Sequence, residues 1–532
     1  MLALRICEPA LGSGAFLVEA VNQLAEQYLK RRQAELTRTI APERYSAERQ
    51  KVKAYLALHN CYGVDLNATA VELAEITLWL DAMHPGLRAP WFGLHLRRGN
   101  SLIGARRETY PAAQLAKRAW LTTAPTARPL GERVPGTDVH HFLVPAAGWG
   151  AVVVTAEAQE GRPRATEALK TWRKAVTATL STTEKARLQF LGQRVEALWA
   201  LAQRRLEVAE REIRRRIDVW GADDLAAGSG AVQRAQIEAS LTDANGAYLR
   251  LRRVMDAWAA LWFWPVTTSV TPPTREQWIT ALEALLGRTN KSESRRGRGL
   301  FADATWAELD EAEHNETAFA QLRAVEQVLA EHPWLTVCDQ IAEREGFFHW
   351  ELDFAPIFAA GGFDLQLGNP PWVRPDWDDA QVLAEDDAWF GLADKPAETT
   401  VRERRAVVLD EGDRRYLDER ASLAGISAHL GSPVDRPLLA GTRPDLYRCF
   451  IDRTWRSMAS DGVVGLIHPE SHFTEVRAGG LRRQTYRRLR RHWQFRNELR
   501  LFEIHHAKEF GVSIYGGPRD PCFLNVAAIY HP

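Results

Sequence analysis

Residues 2–6, Leu-Ala-Leu-Arg-Ile, read as a short buried strand that leads into Glu8-Pro9-Ala10-Leu11-Gly12-Ser13-Gly14, and a helical pattern through Glu19, Leu24 and Tyr28 follows. Two glycines one residue apart, between a strand and a helix, bring backbone amides to a helix N-terminus and leave room for a ligand to approach them. Such a unit belongs to α/β folds in which these turns line one edge of a parallel sheet. The rhythm then repeats. A second helical stretch ends near Asn60, and Cys61-Tyr62-Gly63-Val64-Asp65 reads as a strand ending on an acid, with a helix expected over 68–80. Leu94-His95-Leu96-Arg97 reads as a third strand running into Gly99-Asn100-Ser101.

Residues 105–345 have a different texture, rich in Ala, Arg, Glu and Trp. A long helical pattern over 182–220 carries Leu188, Leu191, Val195, Leu198, Leu201 and Leu206, so a mostly helical insertion is expected. Its arginines, among them Arg204, Arg205, Arg214, Arg215 and Arg216, can follow a phosphate backbone, but neighbouring glutamates favour a solvated, paired face. Residues 265–273 and 291–299 are loop-like, and Arg295-Arg296-Gly297-Arg298 makes a small basic tip, open between nucleic acid and solvent. Strand patterns return at 363–367, 462–467, 499–502 and 523–527, so the sheet is expected to resume after the insertion. Six arginines from Arg482 to Arg491 crowd what reads as one helical stretch, either a DNA-backbone contact or a solvated face.

At 532 residues the chain has room for several domain-sized units, and no repeat suggests a solenoid. Lys plus Arg and Asp plus Glu are both 68, so net charge names no partner and charge has to be read locally. The five cysteines form no Cys-x-x-Cys pair, which argues against a zinc site or a disulfide framework and fits a reducing cytoplasm. No metal site is expected. Neither a membrane-spanning apolar run nor a signal-peptide pattern is present, so a cytoplasmic protein is expected.

An acid at the end of the second strand can accept both hydroxyls of a ribose, which is the place of Asp65. The turn lacks the six-residue phosphate fingerprint and has no Lys-Ser or Lys-Thr after it, which disfavours a dinucleotide or ATP. The most informative segment is Asn369-Pro370-Pro371-Trp372, directly after the strand at 363–367 and Gly368. Two prolines fix the chain, so the Asn369 amide oxygen and the Pro370 carbonyl can be aimed at one point, and two acceptors suit an amino group with two hydrogens. Holding both hydrogens draws the lone pair of an aromatic amine out of conjugation, and Trp372 offers a face for a base. Alone, each motif also reads as a tight turn; together they read as a site.

Glu8 to Leu17, Tyr62 to Asn67, Gly99 to Leu102 and Phe363 to Trp372 resemble the motif set of S-adenosylmethionine-dependent amino-methyltransferases of DNA, most of all the adenine-specific ones. Phe347-Phe348-His349-Trp350 before Gly362-Phe363-Asp364 is similar to large methylases of type IIG restriction-modification and of BREX- or DISARM-like phage defence. The resemblance covers residues 1–104 and about 345–532. It implies a Rossmann-like class I methyltransferase sheet interrupted by a mostly α-helical insertion: 1–104 with the cofactor motifs, 105–345 the insertion, and 346–532 with the target-base motif and closing strands. It further implies that Glu8, Ala10, Gly12 and Gly14 line the methionine part of S-adenosylmethionine, that Asp65 binds its ribose, and that Asn100 meets its adenine. Asn369, Pro370, Pro371 and Trp372 would act on an adenine flipped from double-stranded DNA. Segments 445–450, 465–469 and 511–515 are similar to less specific motifs that complete the pocket.

Members of this group usually carry an upstream helix before the glycine motif and a C-terminal target-recognition domain. The expectation is therefore a fragment of a longer methylase, or a chain that works with other defence-system subunits. Methylation of the cytosine amino group uses the same geometry and stays open, as does a cofactor-binding scaffold subunit. Cytosine C5 chemistry needs a thiol at the end of the Phe363 strand, and Pro521-Cys522 is elsewhere, so Cys522 is read as a strand residue.

Overall fold

Ile6, Cys7, Cys61 and Val64 have no exposed surface, a pattern that strands show only in the middle of a sheet covered on both faces. The computed structural model describes residues 1–86, 89–222, 225, 227–228, 232–288 and 304–531; the basic tip at 295–298 lies outside them. The strands in chain order are β1 (Ile6–Glu8), β2 (Cys61–Asp65), β3 (Leu96–Arg98), β4 (Glu108–Tyr110), β5 (Thr126–Ala127), β6 (Val139–His140), β7 (Phe363–Gly368), β8 (Met458–Pro469), β9 (Leu489–Arg496), β10 (Glu509–Tyr515) and β11 (Leu524–Ile529). Eight of them form one mixed sheet in the order β11-β9-β10-β8-β7-β1-β2-β3, and β5-β4-β6 form a small second one. In the large sheet β10 alone runs antiparallel to its neighbours, β8 and β9. From β1 the chain builds outward to β2 and β3 on one side, and from β7 to β8 on the other, so β1 and β7 meet where the winding reverses. Ligands of parallel α/β sheets bind outside the carboxyl ends of the strands at such a switch point.

The helices α1 (Ala15–Leu36), α2 (Pro42–His59) and α3 (Ala68–Ala82) supply Leu17, Val21, Val52 and Leu78 to one core with β1 and β2. Between β3 and β7 the described elements are helices, 3-10 segments and the small sheet. The longest of those helices, Thr182–Glu212, starts with a capping box in which Ser181 and Glu184 satisfy each other's backbone amides. Its Leu198 and Trp199 share one continuous core with Tyr447, Ile451, Val464 and Tyr515 from the far end of the sequence. Among the described residues no helix is long and apolar enough to cross a membrane.

The mixed α/β architecture with a mostly parallel sheet is as expected, but several elements differ in detail. The first strand occupies 6–8 rather than 2–6, and the third 96–98 rather than 94–97. The long helix stops at Glu212 instead of continuing to 220. Its arginines are mostly paired: Arg205 with Asp310 and Glu313, Arg204 with Glu207, and beyond the helix Arg216 with Asp218. No strand forms at 499–502, because Arg500 is left-handed and the Asn497 side chain ties Phe502 and Ile504 into a loop. The arginine-rich stretch splits into a helix, Gly479–Arg488, and the strand β9, so Arg490 and Arg491 are strand residues. Cys522 is exposed and precedes β11 rather than lying in it.

Candidate active site

The glycine turn caps α1. Gly12 and Gly14 have φ of 51° and 77°, a region costly for residues with a Cβ. A Cβ on Gly12 would meet nothing within 4 Å, whereas one on Gly14 would lie 3.1 Å from Ala74 Cβ. Gly14 is therefore set by its dihedral and by helix packing together, and Gly12 by its dihedral alone, beside open space. The Asp65 carboxylate, at the end of β2, accepts the Gly12 amide at 2.8 Å through one oxygen and the Asn67 amide at 2.9 Å through the other. Glu8, ending β1, is 2% exposed and accepts the Leu17 amide at 3.3 Å. Burial, with the nearby Asp65 adding to it, pushes its carboxyl up to about 9.

Asn100 sits in the loop after β3. Its amide donates to the Gly346 carbonyl at 2.5 Å and its side-chain oxygen accepts the Leu102 amide. The next residue closes the gap to the glycine turn, since the Ser101 hydroxyl donates to the Pro9 carbonyl at 2.5 Å. Phe347-Phe348-His349-Trp350 holds this loop from behind. The Trp350 indole donates to the Ser101 carbonyl, and His349 Nδ1 accepts the Ala105 amide while its Nε2 lies 3.0 Å from Asp256. A Cβ on Gly104 would stand 2.0 Å from the Phe348 carbonyl oxygen, so that position has room only for hydrogen.

Asn369-Pro370-Pro371-Trp372 leaves β7 next to the end of β1: a Cβ on Gly368 would be 3.7 Å from Glu8 Cγ. The glycine turn after β1 and the Asn-Pro-Pro-Trp segment after β7 are thereby neighbours along one sheet edge. The Asn369 amide oxygen is buried and accepts no hydrogen bond. Buried acceptors are ordinarily paired, and an orphan at a strand end is one a ligand can satisfy. Pro370 is buried and Pro371 exposed. The Trp372 indole donates to the Ile467 carbonyl at 3.3 Å, and its ring contacts Phe502 (centroids 4.8 Å apart) and Phe510 (6.0 Å).

Trp372 also lines an open cleft of about 1250 Å³ together with Arg374, Asp445, Glu470, His492 and Lys508. Burial raises the Asp445 carboxyl, opposed by Arg448 and by Arg374, whose Nε is 3.4 Å away, and its other oxygen is unpaired. Glu470, directly after β8, is held by His492 Nε2 at 2.7 Å and by Gln494 at 2.6 Å. Sequence reasoning did not pick out Glu470, His492 or Phe502. Glu470 was findable, because it follows a parallel strand as Asp65 ends one; His492 and Phe502 depend on a strand and a loop that the sequence disguised.

A mostly parallel α/β sheet with these groups on its carboxyl edge is compatible with a methyltransferase fold. The family model of the Eco57I restriction-modification methylase matches residues 59–391, and that of the MmeI DNA-methyltransferase domain matches residues 1–86. The chain belongs to the Eco57I restriction-modification methylase family. A putative type II restriction enzyme and methyltransferase of Methanocaldococcus jannaschii, RM.MjaORFECS2P, is 36% identical over 110 residues, which is 19% of this chain and 9% of that protein. A solved DrdV-DNA complex aligns over 69% of this chain and 43% of its own, at 8% identity and a TM-score of 0.18. The matches thus span less than half of either relative's length.

Proposed function

We propose that the chain transfers a methyl group from S-adenosylmethionine to the 6-amino group of adenine in double-stranded DNA, within a restriction-modification or phage-defence system. The observation that carries this is the Asn369 amide oxygen, buried and unpaired beside the glycine-turn end of β1. Membership of a restriction-modification methylase family supports it. The residues present fit the cofactor: Gly12 adjoins open space, Asp65 is a carboxylate at the strand end, and Asn100 lies across the turn by way of Ser101 and Pro9. S-adenosylmethionine supplies, when bound, a methyl group on a positively charged sulfur.

In this reading Glu8, Ala10, Gly12 and Gly14 hold its methionine part, Asp65 its ribose and Asn100 its adenine. Asn369 accepts one hydrogen of the target amine and the Pro370 carbonyl the other, which localises the nitrogen lone pair and makes it nucleophilic. Pro371 stiffens the turn, and Trp372 gives the extruded base a ring to stack on. We place the cofactor motifs in residues 1–104 and the base motif in 346–532, with 105–345 as the insertion between them.

The test is transfer of labelled methyl to unmethylated DNA, followed by mass spectrometry of the nucleosides. N6-methyladenine is the expected product. N4-methylcytosine would replace adenine as the target, and cofactor binding without transfer would leave a scaffold subunit.

A further inference from the structure

Arginines in most of this chain are neutralised by acids: Arg187 by Glu276 and Glu283, Arg205 by Asp310 and Glu313, Arg436 by Asp452. Residues 477–500 break that habit. They hold nine arginines and a single acid, Glu498, in a chain whose overall charge is zero. Among the described residues, none of these arginines lies within ion-pairing distance of a carboxylate.

Three of them have structural work. Arg482 donates to the carbonyls of His472, Phe473 and Glu475, closing the turn before the helix. Arg490 donates to the carbonyls of Arg488, Leu489 and Gly517, and Arg488 lies over the Trp455 ring. Arg483 and Arg487 have no such employment, although the helix Gly479–Arg488 holds both in place. Burial, and after it the like charges of Arg487 and Arg490, lower the basicity of Arg488, with Asp452 opposing them.

Their position is the informative part. Tyr486 lines the cleft that Trp372 also lines. Residues at spacings of three and four share a helix face, so Arg483, Tyr486 and Arg487 lie along one side of this helix. Two unpaired guanidinium groups thus flank the cleft wall. Guanidinium is the side chain best matched to phosphate oxygens, being planar, always charged and able to donate twice.

We propose that Arg483 and Arg487 form a phosphate-backbone grip that holds duplex DNA beside the base cleft. The inference rests on the DNA-methylase function proposed above and adds to it the surface that carries the backbone. Each phosphate neutralised releases condensed counterions and steepens the dependence of log affinity on log salt by about 0.9. The grip therefore accounts for about 1.8 of the slope.

The experiment compares the wild-type chain with Arg483→Gln/Arg487→Gln and with Arg402→Gln, an exposed arginine elsewhere. Anisotropy of a labelled 20-base-pair duplex is followed from about 50 to about 200 mM KCl, and S-adenosylmethionine affinity and methyl transfer are measured alongside. The double variant is expected to lose about 1.8 from the slope, so that the rise in salt costs it roughly tenfold less affinity than it costs wild type. It should bind the cofactor normally, which also shows that it is folded, while Arg402→Gln keeps the wild-type slope. If wild type binds and methylates DNA and the double variant keeps its slope, the grip is wrong and the methylase function stands. If wild type neither binds duplex nor transfers methyl, the functional reading fails and the grip fails with it.

Discussion

The Gly12 amide donates to the Asp65 carboxylate at 2.8 Å, so the glycine turn after β1 and the acid ending β2 form one rigid unit. Each oxygen of the acid accepts one backbone amide, from Gly12 and from Asn67, and a carboxylate keeps further lone pairs beyond these two. Asp65→Ala should weaken S-adenosylmethionine binding by about 1.5–3 kcal/mol, roughly tenfold to a hundredfold, through loss of charge-assisted hydrogen bonds. Titration calorimetry on a variant with native circular dichroism measures it. Unchanged affinity would remove Asp65 from the site.

Asn369→Ala should separate chemistry from both folding and cofactor binding. Its amide oxygen has no protein partner to leave stranded, so stability should stay within about 0.5 kcal/mol of wild type. Methyl transfer should fall by about a hundredfold or more, as when a group that stabilises the transition state is removed. Near-normal turnover in this variant would falsify the two-acceptor mechanism.

Glu8 gives a pH signature. Its folded carboxyl is raised to about 9 from an ordinary value of 4.5, so the folded state keeps a proton that the unfolded state releases. That contribution to stability is complete below about pH 4.5 and is lost as pH rises towards 9, at up to about 1.4 kcal/mol per pH unit. Glu8→Gln carries no such proton, so its stability relative to wild type should grow across that window in urea melts at pH 5, 7 and 9. A constant difference would mean that Glu8 ionises normally.

Two glycine substitutions should fail differently. Gly104→Ala forces a Cβ against the Phe348 carbonyl and should destabilise the fold by at least about 1–3 kcal/mol. Gly12→Ala adds its methyl to open space and costs only the left-handed conformation, about 1–2 kcal/mol, but narrows the cradle and should weaken cofactor binding. Thermal melts with and without S-adenosylmethionine tell the two apart. A Gly12→Ala protein with full ligand-induced stabilisation would show that the cradle is not where the ligand sits.

The sequence made the first half of the sheet legible because Gly12, Gly14 and Asp65 punctuate it at or beyond strand ends, where left-handed backbone calls for glycine and a carboxylate ties down a turn amide. It also showed Asn369 to Trp372, since a proline pair after a buried strand has few explanations. It hid β9, because Leu489-Arg490-Arg491-His492 has no alternation of apolar and polar side chains and continues an arginine-rich helix without a break. It misled at 499–502, where apolar residues sit in a loop that one asparagine, Asn497, holds by hydrogen bonds no periodicity can reveal. The loop after β3 is legible as Gly99-Asn100-Ser101, but its support by Phe347 to Trp350 joins positions some 250 residues apart and is visible only in three dimensions.

The pairing of β1 with β7 has a consequence for biosynthesis. Arg5 and Asp364 form an ion pair across 359 residues of sequence, and β1 has no partner on that side until β7 has been made. At about 5–20 residues per second, a ribosome takes roughly 20–70 s to synthesise the intervening chain. For that interval the nascent sheet presents an open edge carrying Ile6 and Cys7, side chains with no exposed surface in the finished protein. An unpaired edge of this kind is a template for wrong pairing. The order in which this sheet is written along its gene therefore leaves one side of β1 without its neighbour until the chain has been made past residue 363.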